Sequence, residues 1–191
     1  MKILFSIALL TLLFSSAKAQ KDTTGLNLPY KDGKLIYEGI FSIDNKSQKE
    51  LYSNASQWFV DFFKSSKDVI QSQDKEQGRI VGKGILLEQI KIWGMATQYP
   101  NEVTIQIDVK DNKYRYRIYN MTLSIGTQNL NGFGTLSGRQ FTAEDLIGNL
   151  TGQKNKVLTK NASRLMLESI NDNVKGITLS LLKAMKVNNT F

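Results

Sequence analysis

The sequence contains no cysteine and no histidine among its 191 residues. The lack of cysteine excludes disulfide bonds, iron–sulfur clusters and thiol nucleophiles, and the lack of both residue types excludes zinc fingers and histidine-based catalytic triads. After the N-terminal segment, no stretch approaches the run of about 18 apolar residues that indicates a membrane-spanning helix. The stability of this chain therefore has to come from packing alone.

What the chain does contain is typical of one globular domain. Hydrophobic residues make up 41% of the sequence and charged residues 22%, with nine Phe, seven Tyr and two Trp. This composition excludes collagen-like, low-complexity and disordered chains. A domain of about 150 residues buries roughly 70% of the surface that its unfolded chain exposes. The length is therefore sufficient for a substantial core.

The first 19 residues have the features of a secretory signal peptide. Lys2 supplies a positive start, residues 3–14 are almost entirely apolar, and residues 17–19 end the segment as Ala-Lys-Ala. We expect cleavage between Ala19 and Gln20. The apolar core of 12 residues is short for a membrane span, which needs about 20. An N-terminal anchor or a buried helix is the alternative.

Cleavage at that point predicts a secreted or periplasmic protein. It would remove Lys2 and Lys18 and no acidic residue, so that the formal net charge would fall from +8 to +6. Because no cysteine follows the cleavage site, a lipid anchor on cysteine is excluded, and we expect a soluble mature chain without a transmembrane segment. A secreted chain without disulfides suits a bacterial periplasm better than a small eukaryotic ectodomain.

The first half of the mature chain predicts a strand followed by an aromatic helix. Residues 20–33 are polar and form a lead-in, and residues 35–43 alternate with the period of a strand. Ser47 and Glu50 form a capping box at the start of a helix. The apolar positions of that helix recur at helical spacing and are rich in aromatic residues: Leu51, Ala55, Trp58, Phe59 and Phe62. Such a face has to pack on something broad, most simply a sheet.

Four more strands follow, at residues 69–74, 79–87, 103–109 and from residue 113 onward. Gly82 and Gly84 lie on one face of the second of these, where they allow a helix or another backbone to approach closely. The apolar phase of the last strand changes at Tyr119, which predicts a β-bulge. Residues 34–125 therefore predict a β-α-β4 unit.

The C-terminal part predicts a loop, a short helix and one long helix. Residues 126–155 hold a loop rich in Gly, Asn, Thr and Ser and a short capped helix over 142–150. Within residues 156–191, apolar residues repeat at steps of three and four and predict an amphipathic helix over 156–186. Leu167 and Leu182 lie outside its main apolar stripe and are candidates for a contact with a second copy.

These elements predict an α+β fold with the order β-α-β-β-β-β-α. Strands joined by short turns imply an antiparallel sheet, here of about five strands. The first helix and the long C-terminal helix are expected to back one face of this sheet, which leaves the other face open.

Several segments within residues 28–125 carry a family resemblance: Leu28-Pro29-Tyr30, residues 33–39, Glu50-Leu51-Tyr52, Trp58-Phe59, residues 67–70, Gly82-Lys83-Gly84 and Tyr114-Arg115-Tyr116. In these segments the chain resembles a family of predicted secreted bacterial proteins, a domain of unknown function with a TATA-binding-protein-like fold. The resemblance implies that fold and brings no catalytic residues with it. It is no argument for DNA binding, because one fold hosts unrelated functions.

The sequence predicts no catalytic residues, no metal site and no cofactor. General acid–base chemistry would fall to carboxylates, Lys or Tyr. Glu144 and Asp145 are explained by the negative charge that suits a helix N-terminus. Residues 132–134 read Gly-Phe-Gly, but their spacing matches neither phosphate-binding motif. No acidic loop has the spacing of a calcium site.

The candidate binding residues lie on the strand that begins at Lys113. If its tyrosines face the helices, Arg115 and Arg117 stand on the open face of the sheet. Fixed guanidinium groups suit carboxylate, phosphate or sugar-acid ligands. Neighbouring strands are expected to add further residues to this site, namely Gln106, Asp108, Lys83 and Glu38. The alternative is a solvated face on which Arg115 or Arg117 forms an ion pair with Asp108.

The functional hypothesis is a non-enzymatic binding or interaction module that binds an envelope or extracellular ligand on the open sheet face. Because the candidate site contains arginines, we expect this ligand to be an anion. One alternative is a carboxylate-based hydrolase of envelope polymers, which needs two converging acids with at least one shifted pKa. Another is a structural envelope component that self-associates through the C-terminal helix. Nucleic acid is not an expected partner, because the basic residues are scattered and the chain is predicted to be secreted.

Overall fold

A computed structural model describes residues 24–63, 69–92, 95–126, 128–129, 135–136, 138–152 and 158–188. The predicted signal peptide and residues 132–134 lie outside these ranges. The helices are α1 (Gln48–Phe63), α2 (Ala143–Thr151) and α3 (Lys160–Met185). The strands are β1 (Tyr30–Lys31), β2 (Lys34–Leu35), β3 (Tyr37–Ser42), β4 (Ile70–Asp74), β5 (Arg79–Ile92), β6 (Met95–Lys110), β7 (Lys113–Ile125), β8 (Gln128–Asn129), β9 (Thr135–Leu136) and β10 (Arg139–Thr142).

The main sheet is antiparallel and has six strands. Its order is β10-β7-β6-β5-β4, and β3 also pairs with β7. β3 and β10 share one edge of β7: β3 pairs with residues 113–118 and β10 with residues 122–125. The sheet is therefore five strands wide, and the predicted α+β class and element order are confirmed.

Three of the predicted boundaries were wrong. β5 ends at Ile92, whereas the sequence predicted an end at residue 87. β6 begins at Met95, whereas the sequence predicted a start at residue 103. Residues 139–142, predicted as loop and helix start, form β10. The sequence missed these strands because the apolar periodicity of these segments is weak. Pairing with neighbouring strands nevertheless satisfies their backbone hydrogen bonds.

Both large helices cover the same face of the sheet, as predicted. Phe59 of α1 lies over Gly82, where an added Cβ would come within 2.6 Å of the ring. Phe63 lies against Gly84 in the same way. The two glycines therefore let α1 approach the strand closely. Trp58 completes this aromatic cluster and donates a hydrogen bond from Nε1 to Ser180 Oγ of α3 at 3.0 Å.

The predicted β-bulge is confirmed in β7. Along β6, Glu102 and Thr104 are two residues apart, but their partners on β7 are Thr122 and Tyr119. The extra residue lies on β7, and Asn120 within it has a left-handed φ of 53°. The bulge explains why the apolar phase changes after Tyr119.

The C-terminal segment contains two capped helices. α2 begins with a capping box in which Thr142 accepts a hydrogen bond from the backbone N–H of Asp145 at 3.1 Å. Glu144 accepts a hydrogen bond from the backbone N–H of Leu35 at 3.0 Å and so ties α2 to β2. α3 starts after Thr159, because the Thr159 side chain caps the helix. The predicted helical start at residue 156 was therefore wrong for residues 158 and 159.

The two leucines suggested as self-association contacts differ in burial. Leu167 is fully buried, so the expectation was wrong for this residue, and α3 also packs against α2. Leu182 is partly buried against the core, and its contact with a second copy stays a prediction. None of the helices described here combines the length and apolar character needed to cross a lipid bilayer.

Candidate functional site

The sheet face opposite the helices, called the open face below, carries all six predicted binding residues. The tyrosines Tyr114 and Tyr116 share the helix side of β7 with the core, whereas Arg115 and Arg117 alternate onto the open face. Register places Asp108 and Ile40 on either side of Arg115, and Gln106 and Glu38 on either side of Arg117. Lys83 lies on the same face, opposite Thr104.

Asp108 is the centre of a charge cluster on this face. Its carboxylate accepts hydrogen bonds from Arg79 Nε at 2.6 Å and from Arg115 Nη2 at 2.8 Å and Nε at 3.1 Å. Gln106 Nε2 adds a fourth at 2.9 Å. Burial disfavours the charged form of Asp108, but the hydrogen bonds from Arg79, Arg115 and Gln106 outweigh it and lower the pKa of the carboxyl. Asp108 is therefore ionised, and its carboxylate holds the side chains of Arg79, Arg115 and Gln106 in place.

Arg117 has different partners. Its Nε lies 2.9 Å from Glu38 Oε2 in an ion pair, although the alignment of the two groups is not that of a hydrogen bond. Its guanidinium carbon is 5.5 Å from the centre of the Tyr119 ring, within cation–π range. The predicted alternative, an ion pair of Arg115 or Arg117 with Asp108, is confirmed for Arg115, whereas Arg117 pairs with Glu38.

Lys83 stands apart from these clusters. It forms an ion pair with Glu102 at 3.4 Å, and both side chains are about half exposed. Pairs of this kind contribute little to stability. The six predicted residues therefore share a face but divide into three separate charge groups.

One end of the open face holds a pocket of about 270 Å³ beside the β6–β7 hairpin. Among its lining residues are two of the predicted residues, Arg115 and Asp108. The pocket is lined by Ile40, Asp108, Lys110, Lys113, Tyr114 and Arg115. Arg117, Gln106, Lys83 and Glu38 are not part of its lining.

Two lysines of this pocket carry positive charges that no acid of the described residues pairs with. Lys110 and Lys113 are directly opposite each other across the hairpin, and neither forms an ion pair with an acid in the part of the chain that the structure describes. Like charges in directly opposed strand positions are destabilising. An anion held between them would relieve that repulsion.

Sequence analysis placed Lys113 on the basic strand but missed Lys110 and Ile40. A signal for Lys110 was present, because a two-residue turn at Asp111-Asn112 places residues 110 and 113 opposite each other. Ile40 becomes a pocket residue only through the pairing of β3 with β7, which joins segments far apart in sequence.

The opposite side of the sheet holds a buried acid, Glu88. It is fully buried and accepts hydrogen bonds from Asn101 at 2.8 Å and from Ser169 and Asn173 at 2.7 Å each. Burial raises the pKa of Glu88, against the opposing effect of these donors. It faces the helices, whereas Asp108 lies on the open face, so these two acids do not converge in one cleft. No three acidic side chains of the described ranges gather closely enough to hold a metal ion.

Residues 37–124 match a family model described as a domain of unknown function (DUF4468) with a TBP-like fold. No curated protein matches the chain. A crystal structure of a TBP-like protein from Parabacteroides distasonis ATCC 8503 is similar over 83% of this chain and 97% of that one, with a TM-score of 0.66 and 18% identity. A DUF4468 family protein from Bacteroides ovatus ATCC 8483 is similar over 90% and 99% of the two chains, with the same TM-score and identity. The predicted resemblance and the TBP-like fold are thereby confirmed.

Proposed function

Starting from the match of residues 37–124 to the DUF4468 family, we propose that the protein is a non-enzymatic binding module whose open face receives an anionic ligand. The ligand enters the pocket beside the β6–β7 hairpin. The residues that bind it are Lys110, Lys113 and Arg115.

The opposed lysines are the single observation that carries this proposal. Three cations line the pocket, and its one acid, Asp108, already accepts hydrogen bonds from two arginines. Both lysine ammonium groups and Arg115 Nη1 form no hydrogen bond within the described residues, so their donors remain available for carboxylate or phosphate oxygens.

The features of residues 1–19 support a location for this function. We propose that the chain is exported, cleaved after Ala19, and meets its ligand in the periplasm or outside the cell.

The lowered pKa of Asp108 fits a role in holding Arg115 in place and does not fit a proton-transfer role.

A charge-matched pair of double variants tests the proposal. In Lys110→Gln/Lys113→Gln, we expect the Kd of the purified protein for benzoate to rise at least tenfold at constant ionic strength, measured by chemical-shift titration. The control is Lys49→Gln/Lys183→Gln, which removes the same charge from two exposed helix positions. If both double variants weaken binding equally, the attraction comes from net charge and the pocket is not the site.

A further inference from the structure

We infer that the pocket is selective for a carboxylate attached to an apolar body, such as an aromatic ring or a branched aliphatic chain. This inference rests on the proposed function and specifies its ligand class. Three features of the pocket support it: its volume, the exposed side chain of Ile40 and its cations.

The volume exceeds what a bare anion fills. A water molecule takes about 30 Å³ of liquid volume, so a pocket of about 270 Å³ has room for many waters. Acetate or inorganic phosphate would leave most of this space hydrated. A ligand with a ring or a branched chain would displace that water from apolar surface, which is favourable at roughly 25 cal/mol per Å².

Ile40 provides that apolar surface. It lies directly opposite Arg115 in the β3–β7 register, and 67% of it is exposed. A single exposed isoleucine is normal on a protein surface, but this one lines the pocket together with three cations. A carboxylate at the lysines would therefore place its apolar body against Ile40.

The charges of the pocket suit a carboxylate. Asp108 lines the pocket, but its carboxylate already accepts hydrogen bonds from Arg79 and Arg115, so these arginines offset its repulsion of an anion. A ligand carboxylate can accept one hydrogen bond from each lysine. Together these features favour a carboxylate with an apolar body over a small, fully hydrated anion.

A ligand series tests this selectivity in the full-length purified protein. We expect benzoate to bind at least tenfold more tightly than acetate or inorganic phosphate, a difference of about 1.4 kcal/mol. In Ile40→Thr, the Kd for benzoate should rise toward that for acetate, while the Kd for acetate stays unchanged. The matched control is Ile85→Thr, because Ile85 is 64% exposed on the same face and outside the pocket.

A second measurement keeps the result independent of folding. Nuclear Overhauser contacts between the benzoate ring and the Ile40 methyl groups are expected in the unmodified protein. Equal affinities for benzoate and acetate, or ring contacts elsewhere, would overturn the inference and leave the proposed function standing. If none of the three anions binds at the lysines, the proposed function itself fails.

Discussion

Glu88 of β5 accepts a hydrogen bond from Asn173 of α3 at 2.7 Å, beneath the helical layer. The same carboxyl group accepts a hydrogen bond from Ser169 one turn earlier, so that a buried acid holds the helix to the sheet. The groups that hydrogen-bond to it are all neutral. The titratable groups facing it are tyrosines: Tyr37 of β3, whose pKa is raised by burial and then by the Glu88 charge, and Tyr99, which is opposite Glu88 on β6.

The raised pKa of Glu88 predicts a specific pH dependence of stability. Glu88 binds its proton more tightly in the folded protein than in the unfolded chain, where the ordinary pKa of a glutamate is 4.5. The free energy of unfolding should therefore fall as the pH rises from about 4.5 to the higher pKa of the folded state. Glu88→Gln should remove this decline. Urea midpoints measured from pH 4 to 8 provide the comparison.

Glu102→Gln is the control for that series, because Glu102 is an exposed glutamate of the same sheet. It should keep the decline in stability with pH. Parallel slopes for the unmodified protein and Glu88→Gln would show that Glu88 does not bind its proton more tightly in the folded state.

The close approach of α1 to the sheet predicts opposite effects for two glycine substitutions. In Gly82→Ala, the new Cβ would lie 2.6 Å from the Phe59 ring, and overpacking of this kind destabilises by about 1–3 kcal/mol. In Gly176→Ala, the new Cβ meets nothing within 4 Å at an exposed position of α3, and the helix should gain about 1 kcal/mol. Thermal or urea unfolding measures both, and equal effects would contradict this packing.

Gly82 and Gly84 of β5 illustrate how much of the fold the sequence predicts. The pair at residues 82 and 84, the alternation along β7 and its phase change at Tyr119 are local patterns, and each has the predicted structural counterpart. The contact between Arg79 and Asp108 was not predicted, because it depends on the register of β5 against β6. A hydrophobic pattern specifies which face a residue occupies, but not which residue lies opposite it.

The candidate site was predicted in part for the same reason. Arg115 and Asp108 were placed on the correct face by alternation alone. Their ion pair follows from the β6–β7 hairpin and was predicted as the alternative reading of this face. The ion pair of Arg117 with Glu38 and the contribution of Ile40 need the pairing of β3 with β7. Arg117 looked available for a ligand because its partner, Glu38, is distant in sequence.

Asp108→Asn should change the charge selectivity of the pocket. Removing the negative charge that faces the ligand should lower the Kd for phthalate, a dianion, by about three- to tenfold, and more than the Kd for benzoate. Glu102→Gln removes an acid from the same face outside the pocket and should leave both values unchanged. Titrations at constant ionic strength, with circular dichroism to confirm folding, measure the effect. Equal changes in the two Kd values would contradict an effect of the Asp108 charge on the ligand.

Export can be tested separately from binding. In a bacterial host with an outer membrane, we expect the protein in the periplasmic or extracellular fraction with Gln20 as its first residue, as read by intact mass. Ala19→Arg should block cleavage, because the site requires a small residue there. Gln20→Ala should still be cleaved. Recovery of the uncleaved chain from the cytoplasm would contradict a cleaved signal peptide.

The shared edge of β7 has a consequence for how the chain folds. β3 is made early, yet Tyr37 pairs with Ile118, and the other half of that edge is completed by pairing of Thr142 with Thr122. Contacts of such large sequence separation give a high contact order and slow folding. During synthesis, the sheet cannot close until most of the chain has left the ribosome. That delay would suit the proposed export, in which the chain passes through a translocation channel before it folds.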